Sequence, residues 1–241
     1  MNSAVIVAAG SGSRFGGKTP KQFVNLGKKP LIFHTLEKFD LCELVDEIVL
    51  VLAEDKIDYF RQLGYQSKKK LKLVEGGKTR AESVFKGLSK VDPRTQIVAI
   101  HDGARPLVFV EEISRTLEVA IEKGAACLVA PINDTIKKVC DGKITETIDR
   151  HLLRRALTPQ AFRFEILLKA FDGVCLNESI TDESLLVERL GIKVFAVEGS
   201  ARNIKITTPE DLAFANFILQ GEKCSESVSE TIFTDLKKVK S

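Results

Sequence analysis

Ala4-Val5-Ile6-Val7-Ala8-Ala9-Gly10-Ser11-Gly12-Ser13-Arg14-Phe15-Gly16-Gly17-Lys18-Thr19-Pro20-Lys21-Gln22 is the stretch on which the fold turns. Six apolar residues run without a polar break and then meet a loop of glycines, serines and cations. An uninterrupted apolar run bounded by glycine predicts a strand over Ala4–Ala9 covered on both faces, as in a parallel α/β sheet. In such sheets ligands sit beyond the carboxyl ends of the strands, which is where this loop begins. Glycine lets backbone N–H groups turn inward toward phosphate oxygens. Arg14, Lys18 and Lys21 add positive charge, so the segment suits a polyphosphate. The plain alternative is a glycine-rich turn with solvated lysines.

Working outward, apolar β-branched runs alternate with helical patterns. Strands are predicted at Glu47–Leu52, Leu71–Val74, Gln96–Ile100 and Cys127–Ala130. Helices are predicted at Pro30–Phe39, Asp55–Leu63, Thr79–Leu88 and Glu111–Glu122. The predicted class is therefore α/β: a Rossmann-like, mostly parallel sheet with helices on both faces. The rhythm breaks at Thr135–Thr147, where two alternating runs flank Asp141-Gly142, a hairpin signal. The polar faces of that hairpin predict a β-arm, about 133–150, projecting from the sheet. Helices return at Arg163–Phe171 and Thr181–Leu190, strands at Lys193–Val197 and Asn203–Thr207, and a last helix at Pro209–Leu219. Residues 1–219 read as one nucleotidyltransferase-type domain, and 220–241 as a polar, mobile tail.

Composition narrows the function classes. With 36 basic against 33 acidic residues the net charge is only +3, too small to argue for a nucleic acid. Lys68-Lys69-Lys70 has no aromatic platform beside it and reads as a solvated turn. Five cysteines form no CxxC pair, and three histidines complete no zinc pattern, which suits free thiols in a reducing compartment. No stretch approaches the ~20 apolar residues of a membrane helix. The first residues lack the form of a signal peptide. A cytoplasmic protein with neither nucleic-acid nor membrane partners is the expectation.

Two familiar phosphate motifs fail in context. Gly10-x-Gly12-x-x-Phe15 lacks the third glycine of the dinucleotide fingerprint. Gly12 to Thr19 fits GxxxxGK[ST] letter for letter, and Ile97–Asp102 resembles a strand ending in a metal-binding aspartate. A P-loop, however, runs directly into a helix, and Pro20 pushes Thr19 away from helical backbone. A P-loop kinase therefore stays a remote alternative.

Other clusters follow the remaining strands. His101-Asp102-Gly103-Ala104-Arg105-Pro106 puts a hard oxygen ligand, suited to Mg²⁺, beyond the fourth strand. Asp102 could equally cap the next turn and pair with Arg105. Gly76-Gly77-Lys78-Thr79-Arg80-Ala81-Glu82-Ser83 leads two glycines into a helix start that can bind an anion or a polar base edge. Thr79 and Glu82 also have the spacing of a capping box. Asp134-Thr135-Ile136-Lys137, Asp149-Arg150, Leu157-Thr158-Pro159-Gln160, Thr181-Asp182-Glu183 and Asn203-Ile204-Lys205-Ile206-Thr207 complete the set.

Ala8-Ala9-Gly10-x-Gly12-x-Arg14 with Pro20-Lys21-Gln22 resembles the signature loop of nucleotidyltransferases that act on sugar and polyol phosphates. Taken in order with the other clusters, from Val5 to about Leu219, the chain is similar to the family of 2-C-methyl-D-erythritol 4-phosphate cytidylyltransferases. The resemblance implies a Rossmann-like domain whose arm hooks a second copy, giving a homodimer by arm exchange. It implies CTP and methylerythritol phosphate as substrates and Mg²⁺, or another divalent cation, as cofactor. It implies that Ala8, Ala9, Gly10, Gly12, Arg14 and Lys21 hold the CTP phosphates, and that Gly77, Arg80 and Ser83 sit at the cytosine and ribose end. Asp102 and Arg105 would serve base selection, the ribose and the metal region. Thr135, Arg150 and Thr158 would bind the acceptor. Lys205 would join Arg14 and Lys21 on the α-phosphate as the catalytic group. Two departures stand out: Leu153 lies where the family often has Trp, and Lys78 stands where an acidic residue is common. A ribitol-5-phosphate or other polyol-phosphate cytidylyltransferase, and a catalytically dead nucleotide-binding subunit, remain alternatives.

Overall fold

The computed structural model describes residues 1–10, 15, 20–177 and 179–221. Seven strands form the main sheet. They are β1 (Asn2–Ala8), β4 (Glu47–Leu52), β5 (Lys70–Glu75), β6 (Ile97–Asp102), β7 (Ala125–Pro131), β10 (Arg154–Arg163) and β11 (Phe195–Glu198). Two short pieces, β2 (Asn25–Leu26) and β3 (Lys29–Pro30), pair with each other, and β8 (Ile136–Cys140) pairs with β9 (Lys143–Ile148). The helices are α1 (Leu31–Leu41), α2 (Ile57–Gln62), α3 (Arg80–Leu88), α4 (Val110–Lys123), α5 (Phe164–Phe171), α6 (Glu183–Arg189) and a last one over 209–221.

The continuous apolar runs have a direct cause. Successive strand residues point to opposite faces, and both faces are covered. Ala4, Ile6, Ile48 and Leu50 enter one buried cluster, while Val5, Val49, Val51 and Val98 enter the other. Each fully buried side chain of this kind contributes roughly 1.5–3 kcal/mol against exposure. A third cluster, with Leu26, Leu31, Leu107, Ile206 and Ala215, seats the last helix.

The sheet order is β11-β7-β10-β6-β1-β4-β5. β1 pairs in parallel with β4 and β6, and β4 with β5. The chain winds outward from β1 to β5 and returns to β6 on the other side of β1. That reversal opens a crevice at the carboxyl ends of β1 and β6, the usual ligand position.

β10 is absent from the sequence reading and is antiparallel to both its neighbours, β6 and β7. Pro159 within the run argues against a central strand, because proline cannot donate to a ladder. The chain accommodates it where pairing with β7 lapses, between Ala156 and Gln160. A second correction concerns Asn203–Thr207, which belongs to no strand. Its groups bond elsewhere: Ile206 N–H to the Ala104 carbonyl in a loop at 2.8 Å, and the Asn203 side-chain Nδ2 to the Thr158 carbonyl of β10 at 2.8 Å. The predicted helix Asp55–Leu63 starts as a 3₁₀ turn, Glu54–Lys56, before α2.

The hairpin forms where Asp141-Gly142 predicts it, with φ of 49° and 74°, the left-handed pair that a two-residue turn requires. Residues 137–147 of the arm are all exposed. No helix among the described residues is long and apolar enough to cross a membrane. Most of the predicted tail, residues 222–241, lies outside the described residues.

Candidate active site

A cleft of about 650 Å³ opens at the carboxyl ends of β1 and β6. Ala8, Ala9 and Gly10 form one wall, Gly77, Arg80 and Ser83 another, and Lys21, Asp102 and Lys205 reach in from the rest. Nine residues scattered over nearly 200 positions of sequence thus share one cavity. Close backbone approach builds its edges. A Cβ on Gly76 would sit 2.3 Å from that of Ala9, so only glycine lets the end of β5 lie against the end of β1. A Cβ on Gly103 would stand 2.9 Å from that of Ala8. Gly12 and Arg14 lie outside the described residues.

Lys21 follows Pro20, whose backbone is extended (φ −56°, ψ 137°), in a 3₁₀ turn of three residues. Among the described residues the first α-helix begins at Leu31 and the turn after Pro20 is 3₁₀, unlike a P-loop, whose lysine opens an α-helix. Gln22, buried, donates to the Ala8 carbonyl at 2.8 Å and ties this turn to the end of β1. Lys21 Nζ reaches the Ile206 carbonyl at 3.1 Å. Ile206 is fully buried, so it anchors the segment that presents its neighbour Lys205 to the cleft. The two lysines therefore come together although 184 residues separate them along the chain.

Asp102, 6% exposed, is the electrostatic centre. Arg80 Nε lies 3.1 Å from Oδ1, and Arg105 Nε and Lys205 Nζ lie 3.3 and 3.0 Å from Oδ2. Burial opposes ionisation of this carboxyl, yet Arg80, Lys205 and Arg105 outweigh it and hold the group well below the usual carboxylate range. Arg105 also donates to the Asn203 carbonyl at 2.8 Å. The pairing of Asp102 with Arg105 is thus real, and both residues line a smaller cavity beside the cleft.

Thr79 caps α3, accepting from Glu82 N–H at 3.1 Å, but the capping box is only half made. The Glu82 carboxylate accepts from Lys78 N–H at 2.7 Å instead. Ser83 Oγ accepts from Gly77 N–H at 3.0 Å and donates to the Thr79 carbonyl at 2.9 Å, fixing the glycine loop before Arg80.

The predicted acceptor residues divide. Thr158 lines a smaller adjoining cavity of about 280 Å³, with Arg80, Asp102, Arg105 and Lys205. Its hydroxyl accepts from Asp102 N–H at 3.1 Å and sits 3.0 Å from His101 Nδ1, so it braces the end of β6. His101 packs on Phe39 with ring centroids 4.9 Å apart, and burial pushes its pKa down to about 3, so it is neutral. Thr135 and Arg150 stand exposed on the arm and line neither cavity. Arg150 donates to the Asn133 carbonyl at the arm's base.

Among the described residues no group of three His, Cys, Asp or Glu side chains could hold a metal alone. Both oxygens of Asp102 are already engaged by cations. This donor set suits Mg²⁺ as an ion carried mainly by phosphate oxygens and waters, with one carboxylate in reach.

Sequence reasoning gave no role to His101, Gln160 and Glu183. Gln160 and Glu183 stand inside the LTPQ and ITDE motifs, which was the available signal; nothing local marks His101 as buried.

Comparison with known proteins points one way. The family model described as IspD: 2-C-methyl-D-erythritol 4-phosphate cytidylyltransferase matches residues 2–221. A protein of that name from Clostridioides difficile is 43% identical over 229 residues, covering 94% of this chain and 97% of the relative. One from Bacillus velezensis is 42% identical, covering 93% and 98%. The crystal structure of 4-diphosphocytidyl-2C-methyl-D-erythritol synthase from Anaerococcus prevotii superposes with a TM-score of 0.81 at 31% identity, covering 91% of this chain and 96% of that one.

Proposed function

We infer function from one premise: this chain belongs to the 2-C-methyl-D-erythritol 4-phosphate cytidylyltransferase family. It is a nucleotidyltransferase that moves the cytidylyl group of CTP onto 2-C-methyl-D-erythritol 4-phosphate, in isoprenoid precursor biosynthesis. The products are 4-diphosphocytidyl-2-C-methyl-D-erythritol and pyrophosphate. The observation that carries the reading of the site is the gathering of Lys21, Arg80 and Lys205 around one cleft at the strand ends, with Arg105 on the adjoining cavity.

The chemistry follows from those charges. An oxygen of the acceptor phosphate attacks the α-phosphorus of CTP, the new P–O bond forms, and the bond to pyrophosphate breaks with its electrons on the leaving group. That nucleophile is already ionised near neutral pH, so no general base is required. The obstacle is bringing two anions together. Lys21 and Lys205, brought to one cleft from distant parts of the chain, with Arg14 as third partner, neutralise the charge that builds at the α-phosphate. Because the fold fixes them beforehand, little reorganisation accompanies the reaction. Ala8, Ala9, Gly10 and Gly12 provide the backbone lining for the phosphates. Gly77, Arg80 and Ser83 take the cytosine and ribose end.

Asp102 has two tasks in this reading. It holds Arg80, Arg105 and Lys205 in place, and it is the residue that, with the phosphates, would hold Mg²⁺. The ion supplies neutralisation of the departing pyrophosphate. Thr158 fixes the end of β6 beside the acceptor, while Thr135 and Arg150 belong to the acceptor site of a second copy. What supports that last assignment is that both stand exposed and line neither the cleft nor its adjoining cavity; Arg150 lines instead a separate hollow of about 310 Å³ at the arm's base, with Asn133 and Arg154. A homodimer with exchanged arms follows.

Pyrophosphate release measured across four nucleotides and two acceptors tests the function. Release is expected with CTP and methylerythritol phosphate. Equal release with ribitol 5-phosphate, or with ATP, overturns the reading.

A further inference from the structure

The ITDE motif has no part in the transfer chemistry above, yet its last residue is among the most enclosed charges in the molecule. Glu183, at the start of α6, is 0% exposed. Its two oxygens take Arg80 Nη1 at 2.6 Å and Nη2 at 3.0 Å. The Nε edge of the same guanidinium points to Asp102. Arg80 therefore spans two carboxylates, one wholly buried and one at the cleft.

The backbone behind Glu183 is equally fixed. Its N–H and that of Ser184 both donate to Gln160 Oε1, at 3.2 and 3.0 Å. Gln160 Nε2 donates to Asp182 Oδ2 at 3.1 Å, and Asp182 Oδ1 caps α6 by accepting from Leu185 N–H at 3.0 Å. Gln160 stands two residues beyond Thr158, which accepts from Asp102 N–H. The connections close a ring through Asp102, Arg80, Glu183, Gln160 and Thr158, joining β6, α3, α6 and β10.

We propose that Glu183 is a positioning residue for the nucleotide: it fixes the plane and place of the Arg80 guanidinium at the base and ribose end of the cleft. This rests on the reading that Arg80 meets CTP. Glu183 itself cannot touch a ligand, whereas the Arg80 side chain is 23% exposed. A bidentate grip on one edge and a third bond on another leave the guanidinium no freedom to rotate. Without the Glu183 charge, Arg80 would collapse onto Asp102, and CTP would have to reorder it on binding. A purely structural role is the competing account. A buried ion pair is weak support for stability, since the cost of desolvation offsets its attraction.

The test uses the full-length chain. For Glu183→Gln, the Kd and KM for CTP should rise about tenfold, the loss of one charge-assisted hydrogen bond. The KM for the acceptor and kcat should hold. Unchanged CTP affinity in a folded variant, or equal rises for both substrates, overturns the proposal. Should that variant fail to fold, Arg80→Lys asks the same question, because one ammonium cannot span both carboxylates; an unchanged CTP KM there also overturns it. Adding Glu183→Gln to Arg80→Lys should cost little more CTP affinity, and a second full loss would show that Glu183 acts by another route. If the wild type releases no pyrophosphate, the functional reading falls, while calorimetry of CTP alone still decides the role of Glu183.

Discussion

Asp102, in the cleft, and Arg150, at the base of the arm, are both charged, and they live in opposite surroundings. Asp102 is 6% exposed, with three cations of its own chain upon it. Arg150 stands beside a ribbon exposed at every position from 137 to 147. Val139 and Ile144, 59% and 66% exposed, face each other on that ribbon with nothing over them. The cleft is completed by packing within the chain; the arm has the composition of a surface awaiting cover. In the proposed reading one protomer organises the nucleotide end, and the acceptor end would be shared between copies.

The largest effects should come from the cleft. Lys205→Ala or Lys21→Ala should lower kcat by roughly 10²–10³-fold, the scale of one preorganised donor, with a smaller change in CTP affinity. Steady-state kinetics on the folded variants checks this. Unchanged turnover in either would break the contrast, because the cleft would then not be where charge is neutralised.

Acid should find the cleft and spare the arm. Folded His101 has a pKa of about 3, against an ordinary value of 6.5. Below pH 6.5 the unfolded chain takes up a proton that the folded chain refuses, so stability is full above that pH and falls as pH falls. The loss is about 2 kcal/mol between pH 6.5 and 5, at ~1.4 kcal/mol per unit. Urea denaturation at several pH values should show a shallower slope in His101→Asn. An equal slope would mean that His101 is not the buried group responsible.

The smallest effect tests the arm. Arg150→Lys keeps the charge and loses the planar fork, so the acceptor KM should rise about tenfold, near the worth of one charge-assisted hydrogen bond, with CTP kinetics intact. Impaired CTP kinetics would place Arg150 in the wrong half of the comparison. Mixing Arg150→Ala with Lys21→Ala sharpens it further. One site of the mixed dimer would hold both intact residues, so activity should partly return; no recovery would argue that the arm serves its own chain.

The alternation of runs and the Asp141-Gly142 turn were legible because strand burial and left-handed turns leave local marks. The end of β1 at a cleft was legible because an apolar run there meets glycines and cations, while Gly12 and Arg14 lie outside the described residues. β10 was hidden because Pro159 breaks the local pattern, and only pairing on both sides makes that run a strand. Asn203–Thr207 looked like a strand because Ile204, Ile206 and Thr207 are β-formers, yet it bonds to a loop carbonyl at Ala104 and, through a side chain, to Thr158, without a strand ladder.

The sequence by itself determined the two-faced sheet, the positions of most helices, the arm and the motifs that carry charge, because each depends on residues a few positions apart. Tertiary structure alone decided that Asp102 serves three cations, that Thr158 braces the end of β6, and that Glu183 grips Arg80 across 103 residues of chain. Those outcomes depend on which elements lie side by side, and in a buried site the neighbours across space, more than those along the chain, decide whether a charge can exist.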